Sequence, residues 1–252
     1  MVEIYCENIK KSIQCEPGTT LSRLLKQTEI TGKWPFLAAI VDNQLKELSF
    51  PIYMPHQVKF IDYTDRDGQR CYSRSLIFVL QRAIAKLYPQ YSLIVDYNMQ
   101  NGMYCELREL EQEEGESPKV VALSEDEIDK IRETMQELIN ADLPFTREKI
   151  HTEEAVKLFR DNHREEKAVL HESRGKFFTT VYYLDGYADH FYGPLAESTG
   201  VLKTFVFESF SRGFLLNIPT ITSPYEIKKS PYQYKLLDVF KEHSEWCSIL
   251  GV

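Results

Sequence analysis

The strongest constraint on the fold lies in the first 63 residues, where short apolar runs of strand length surround one stretch with helical spacing. Val2 to Cys6 and Lys10 to Gln14 predict two strands joined by a turn at Glu7-Asn8. Glu16-Pro17-Gly18-Thr19-Thr20 then supplies a turn and an N-cap, because a threonine hydroxyl oxygen accepts from the free amides of a first helical turn. The helix that follows places Leu21, Leu24 and Leu25 on one face. Phe36 to Val41 predicts a third strand, Asp42-Asn43 a turn, and Val58 to Tyr63 a last strand. The helix is expected to cover the sheet.

Thr64-Asp65-Arg66-Asp67-Gly68 is polar and contains glycine, which predicts a boundary before a larger second domain. Leu76, Leu80, Ala83, Ile84 and Leu87 form a helical stripe, so a helix is expected from about Ser73 to Leu87, ended by Tyr88-Pro89. Tyr91 to Asp96 and Met103 to Leu107 predict strands around a turn at Asn101-Gly102. Ser124 with Glu127 forms a capping box, followed by Ile128, Ile131, Met135, Leu138 and Ile139 at helical spacing. A shorter helix is expected near Thr152 to Phe159, and Lys167 to His171, Phe177 to Leu184 and Val201 to Ser209 suggest another sheet. Ser230 and Pro231 open a last helix, with Leu236, Val239, Phe240, Trp246 and Leu250 on an apolar side ending at Gly251. The expected class is α+β, divided at residues 1–63, 64–229 and 230–252.

Composition excludes several classes. With 43% hydrophobic, 27% charged and 12% aromatic residues the chain has the makings of a globular core, and it has no apolar run of membrane-spanning length. Its start lacks a basic segment leading into an apolar one, so no secretory signal and a cytoplasmic setting are expected. The five cysteines, Cys6, Cys15, Cys71, Cys105 and Cys247, form no Cys-x-x-Cys pair and read as small core residues kept as thiols. Of the net charge of −8, the stretch Glu106 to Asp129 holds ten acidic and two basic residues, leaving 28 of each sign elsewhere. The loop from Glu109 to Glu116 is expected to be solvated, and no run of Lys and Arg gives a nucleic-acid footprint.

The order of elements carries a resemblance. Residues 1–63 read as a β-grasp unit and resemble a TGS domain. Residues 72 to 107, YSRSLIFVLQRAIAKLYPQYSLIVDYNMQNGMYCEL, and 182 to 194, YYLDGYADHFYGP, resemble two segments of the editing domain of threonyl-tRNA synthetase. The resemblance implies a hydrolytic site with His-x-x-x-His on the first helix and a Cys and a His from the later segment. Aligned on Leu87-Tyr88-Pro89 and on Gly193-Pro194, this chain carries Arg74, Phe78, Phe191 and Leu195 at those places. Neither Phe nor Leu moves a proton or binds a metal, and Arg is a fixed cation, so the resemblance arrives without its chemistry. The segments SRSLIFVLQRA, DHFYGPLAESTG and FKEHSEWCSILGV also resemble the front region of bacterial nucleoside kinases similar to uridine kinase. That resemblance implies a P-loop domain following this chain as its partner, with ATP and Mg²⁺ belonging to that domain alone.

The chain has no Gly-x-x-x-x-Gly-Lys-Ser/Thr to cradle phosphates and no Gly-x-Ser-x-Gly elbow. Gly32-Lys33-Trp34 and Gly175-Lys176-Phe177 read as turns. The histidines, His56, His151, His163, His171, His190 and His243, never recur at the four-residue spacing of a zinc helix, so neither a cofactor nor a metal is expected. His163 and His171 would meet if both lay on adjacent strands, and Asp189 is placed to orient His190 as a base; surface or hydrogen-bonded histidines are the simpler reading. Arg74, Phe78, Asp189, His190 and Tyr192 form a candidate ligand cleft, in which a guanidinium clamps phosphate or carboxylate and aromatic rings stack a base. A helix-surface Arg paired with a carboxylate, and aromatics that are simply core, are the alternatives. The leading expectation is a non-catalytic regulatory or ligand-binding region of a nucleoside kinase, taking a nucleoside or nucleotide. The others are a tRNA or RNA-binding module, which the charge count disfavours, and a trans-editing hydrolase. No membrane partner is expected.

Overall fold

The computed structural model describes residues 1–28, 30–99, 102–110, 119–227 and 234–250. The first elements are β1 (Val2–Cys6), β2 (Lys11–Cys15), β3 (Thr19–Thr20), α1 (Leu21–Gln27), β4 (Phe36–Val41), β5 (Gln44–Lys46), β6 (Pro51–Ile52), β7 (His56–Asp62) and α2 (Arg66–Leu87). Then come β8 (Tyr91–Met99), β9 (Gly102–Glu109), β10 (Val120–Val121), α3 (Glu125–Asn140), β11 (Thr146–His151), α4 (Thr152–Asp161) and α5 (Glu165–Ser173). The last are β12 (Phe178–Leu184), β13 (Tyr187–Asp189), a 3-10 turn at Thr199–Val201, β14 (Val206–Phe210), β15 (Gly213–Asn217) and α6 (Tyr234–Leu250). The architecture is α+β, with helices and several separate sheets. Contacts divide it into two compact units, one of Met1–Pro89 with Ile131–Lys203 and one of Gln90–Lys130 with Thr204–Val252.

In the first unit, a five-stranded sheet runs in the order β2-β1-β7-β4-β5, with β1 parallel to β7 and its other neighbours antiparallel. Val2, Ile4 and Cys6 alternate inward along β1, and Leu21 and Leu24 of α1 join the same core with Ile52 and Phe60. Burying a leucine of this kind contributes about 1.5–3 kcal/mol. Thr20 caps α1 by accepting the Arg23 N–H at 3.2 Å. Asp42 and Asn43 both have positive φ, 46° and 63°, as a two-residue hairpin turn requires.

Part of the polar run at Thr64 to Gly68 forms the first turn of α2, which begins at Arg66 rather than near Ser73. Its polar residues face water, with Arg70 paired to Asp67 at 3.1 Å. Gly68 is there for proximity: a Cβ on it would lie 1.8 Å from the Asp62 carbonyl oxygen, so the helix can start this close to β7 only without a side chain. The stripe of Leu76, Leu80, Ala83 and Ile84 is buried as expected.

Lys167 to His171 is helical, lying in α5, and not a strand. Glu165 and Glu166 occupy its first turn, where negative charge suits the helix dipole. Ala168 and His171, three residues apart, turn inward while Val169 and Leu170 are left 53% and 41% exposed, so an apolar run that resembles a strand straddles two faces. The strand that pairs with β12 is β11, in a sheet ordered β11-β12-β13. One face of this sheet packs on α4 and α5 through Val156, Phe159, Ala168, Val181 and Ala188. Ser124 and Glu127 form the expected box: the Ser124 N–H donates to Glu127 Oε2 at 2.8 Å and the Glu127 N–H to Ser124 Oγ at 3.3 Å. Ile128, Ile131, Met135, Leu138 and Ile139 of α3 are all buried.

In the second unit, β9 pairs with β8 along one edge and with β10 and β15 along the other, and β14 lies beyond β15. The expected strand from Val201 starts only at Val206 and joins this sheet rather than β12. Asn101 of the expected turn, residues 111–118 around the Glu-rich loop, Ser230, Pro231 and Gly251 lie outside the described residues. Phe240 of α6 stacks on Tyr97 with ring centroids 4.2 Å apart, whereas Val239, Trp246 and Leu250 of the expected apolar side are exposed. All five cysteines are free thiols, and all but Cys247 are buried. Among the described residues no helix is long and apolar enough to cross a membrane.

Candidate functional site

The side chains singled out in sequence gather in the first unit, where α2 meets the segment following β13. Arg74 donates through Nε and Nη2 to the Pro194 carbonyl oxygen at 3.1 and 2.9 Å. Ser75, one residue on, accepts the Ala196 N–H at 2.8 Å. Gly193 adopts φ +143°, and a Cβ there would lie 3.0 Å from Arg74 Cζ, so the guanidinium sits flat against backbone. The fork geometry that suits a phosphate is thus used on a carbonyl. The expected carboxylate partner of Arg74 is not what holds it.

Phe78 is fully buried, 5.1 Å from Phe191, 5.8 Å from Phe145 and 6.3 Å from Tyr187 between ring centroids, and Leu195 is also buried. These positions are packed hydrocarbon. Packing of that kind leaves no lone pair to hold a metal or activate water.

Asp189 is the polar centre of the region. It has no exposed surface, takes a hydrogen bond from Lys167 Nζ on Oδ1, and faces Arg164 Nη1 at 3.7 Å through Oδ2. Lys167 also donates to the His190 carbonyl at 3.3 Å. Burial pushes the Lys167 ammonium down, and the Asp189 charge opposes it. Asp189 does not orient the His190 ring, which is instead a hydrogen-bonded histidine, the simpler of the two readings from sequence. It accepts the His190 backbone N–H at 2.7 Å, and the His190 ring donates from Nδ1 to the Thr180 carbonyl at 2.7 Å. The carbonyl can only accept, so the proton sits on Nδ1 and the Nε2 lone pair is free.

His171 packs edge-on against His190 with centroids 4.5 Å apart and lies 3.4 Å from Thr179 Oγ1 through Nδ1. Burial, with His190, Arg174 and Lys167 nearby, pushes its pKa down to about 4, and burial likewise lowers His190. Both Nε2 atoms are buried and have no hydrogen-bond partner among the described residues. His163, which would meet His171 only if both lay on adjacent strands, sits in a left-handed turn between α4 and α5. A cavity of about 550 Å³ opens over His171, lined also by Thr152, Lys157, Arg160 and Lys176. Tyr192 is 64% exposed, edge-on to His190 at 4.8 Å, with the Arg174 guanidinium 4.9 Å from its ring centroid.

The five expected residues therefore occupy three settings: Arg74 as a backbone clamp, Phe78 as core, and Asp189, His190 and Tyr192 as one run reaching from a buried ion pair to the surface. Lys167, Arg164 and His171 complete that run. Sequence offered no signal for Lys167 or Arg164, which reach Asp189 from α5 and the residue before it. The buried carboxylate is held by two cations, and the hydroxyl beside the His171 ring, Thr179 Oγ1, is shared with Thr152 Oγ1 at 3.0 Å. Among the described residues no group of three or more His, Cys, Asp or Glu is placed to hold a metal.

No protein-family model matches the chain. It is 30% identical over 191 residues to the threonine–tRNA ligase of Halorhodospira halophila, covering 75% of this chain and 27% of the ligase. It is 28% identical over 170 residues to that of Acetivibrio thermocellus, covering 67% and 25%. The threonine–tRNA ligase of Thermotoga maritima is 26% identical over 206 residues, covering 81% and 30%. The chain spans between a quarter and a third of the length of these relatives. It is accordingly an α+β protein similar to part of the threonine–tRNA ligases and resembling their editing domain.

Proposed function

We propose that this chain is a non-hydrolytic RNA-binding module built on the scaffold of a threonine–tRNA ligase editing domain. One observation carries the reading. Where the resemblance calls for hydrolytic side chains, Arg74 is tied to the Pro194 carbonyl, and Phe78 and Leu195 are buried, with Phe191 packed on Phe78. A site filled in this way lacks both a general base and room for an activated water. The similarity to ligases that act on tRNA supports RNA as the class of ligand. Incubated with seryl-tRNA, the chain should leave the ester as stable as buffer does, and filter binding should retain tRNA with an affinity that falls steeply with salt. Serine release above the buffer rate refutes the first half, and absence of retention the second.

A second reading, a regulatory region of a nucleoside kinase, draws on SRSLIFVLQRA, DHFYGPLAESTG and FKEHSEWCSILGV. In it a following P-loop domain is the partner and takes ATP and Mg²⁺, and a nucleoside or nucleotide is the ligand. The ligases named above lend it no support. A coding sequence that runs on past Val252 into a strand, a P-loop and a helix would establish it, and a stop codon there would remove it.

A further inference from the structure

Helix α6 is held to its own sheet by ring contacts. Phe240 stacks on Tyr97 of β8 with centroids 4.2 Å apart, and Tyr234 stacks on Phe210 of β14 at 5.3 Å. These anchors fix how the helix is rotated about its axis, and so decide which side it turns to water. At about 100° of arc per residue, Val239, His243, Trp246 and Leu250 follow one another by steps of about three or four residues and fall on a single stripe, on the side away from both anchors. The exposures agree: 59% for Val239, 57% for Trp246 and 66% for Leu250, with Ile249 beside them at 76%. Apolar residues at this spacing ordinarily face a core, and here they face outward.

Such a stripe calls for a cover of its own shape. With a whole aromatic side chain offering about 150–250 Å², the exposed parts of Val239, Trp246, Ile249 and Leu250 amount to on the order of 500 Å², the upper range of what a monomer leaves in one apolar patch. Residues 239–250 make a straight run of about three turns, roughly 18 Å long, and the surface that fits it is another helix with the same apolar spacing. A second copy supplies that helix, and two copies related by a two-fold axis bury about 1,000 Å², the floor for a specific interface. The order of side chains along the stripe sets the direction. In a parallel pair each residue meets itself, Trp246 on Trp246 and His243 on His243. In an antiparallel pair centred midway between His243 and Trp246 the whole apolar run overlaps, so that Val239 meets Leu250 of the partner subunit and Trp246 meets His243 of the partner subunit. The His243 ring can be covered there because its Nδ1 already has a contact on its own helix, Cys247 Sγ at 3.7 Å.

We propose that the outward stripe of α6 pairs two copies of this chain as an antiparallel helix dimer, an assignment independent of the RNA-binding reading. An interface of this size is expected to associate reversibly in the micromolar range, so the test is sedimentation equilibrium of the full chain from about 1 to 200 μM. Trp246→Glu and Val239→Glu should each weaken the dimer about thirtyfold or more, since each sets a charge where an apolar anchor is enclosed. Both side chains face water in the single copy, so circular dichroism melts of the variants should match the parent at concentrations where it is monomeric, which separates loss of pairing from loss of fold. In a Cys247→Ser background, oxidation should join the copies when Val239→Cys and Leu250→Cys are present together and not when either is present alone. A chain that stays monomeric throughout that range, or a dimer that keeps its affinity in both Glu variants, would overturn the proposal. Cross-linking by Val239→Cys alone would overturn the antiparallel direction, because position 239 meets itself only in a parallel pair.

Discussion

Replacing Asp189 by alanine tests the buried ion cluster most directly. The carboxylate has no exposed surface, and the Arg164 and Lys167 side chains keep only 13% and 22% of theirs. Removing it leaves two largely desolvated cations without a counter-charge and frees the His190 N–H that now donates at 2.7 Å. Breaking a buried pair from one side costs about 3–5 kcal/mol, because the remaining charge keeps its desolvation penalty and loses its compensation. For a chain of this size that corresponds to a fall in melting temperature of roughly 6–20 °C. The double variant Asp189→Leu with Lys167→Met should recover part of the loss, since an apolar pair of similar volume carries no desolvation cost. Thermal unfolding followed by circular dichroism reads both. A fall of less than about 2 °C for Asp189→Ala would mean that water or rearrangement compensates the cations, and the account of a dry cluster would be refuted.

Two further outcomes follow from the same geometry. Gly68→Ala should destabilise by about 1–3 kcal/mol, because its Cβ would fall 1.8 Å from the Asp62 carbonyl oxygen and backbone must move; wild-type stability in urea would contradict that contact. His171, whose pKa is pushed down to about 4 by burial, is neutral in the fold and protonates more readily in the unfolded chain. The unfolded state therefore binds more protons between the ordinary histidine pKa of about 6.5 and 4, and the His171 contribution, full above 6.5, is lost as pH falls through that window, by up to about 3 kcal/mol. Urea titrations from pH 7 to pH 4 should show His171→Gln with a shallower decline than the parent, and equal slopes would sink the assignment.

What the residues disclosed by themselves was local. The Ser124–Glu127 box, the Thr20 cap and the Asp42-Asn43 hairpin depend on neighbours within three or four positions, and each formed where the sequence placed it. Where the determining partner lay far along the chain, local patterns misled. The polar run at Thr64 to Gly68 hid the start of α2, expected near Ser73 and found at Arg66, where Gly68 serves close contact with β7. Lys167 to His171 has the composition of a short strand, but Glu165, Glu166 and the inward pair Ala168 and His171 make it helical.

The candidate site divides along the same line. Sequence alone determined that Arg74, Phe78, Phe191 and Leu195 stand where the resemblance calls for hydrolytic groups, because side-chain identity settles what chemistry is possible. It also determined that charge outside the acidic stretch is balanced. Only the tertiary structure decided how that balanced charge is arranged. The β11–β12 register, joining residues up to 37 positions apart, sets Lys149 and His151 beside Phe178, and α5 carries Lys167 to a carboxylate 22 positions away. The physical reason is that a charge acquires its energy from its surroundings, and burial and counter-charge come from segments that meet only when the chain has folded.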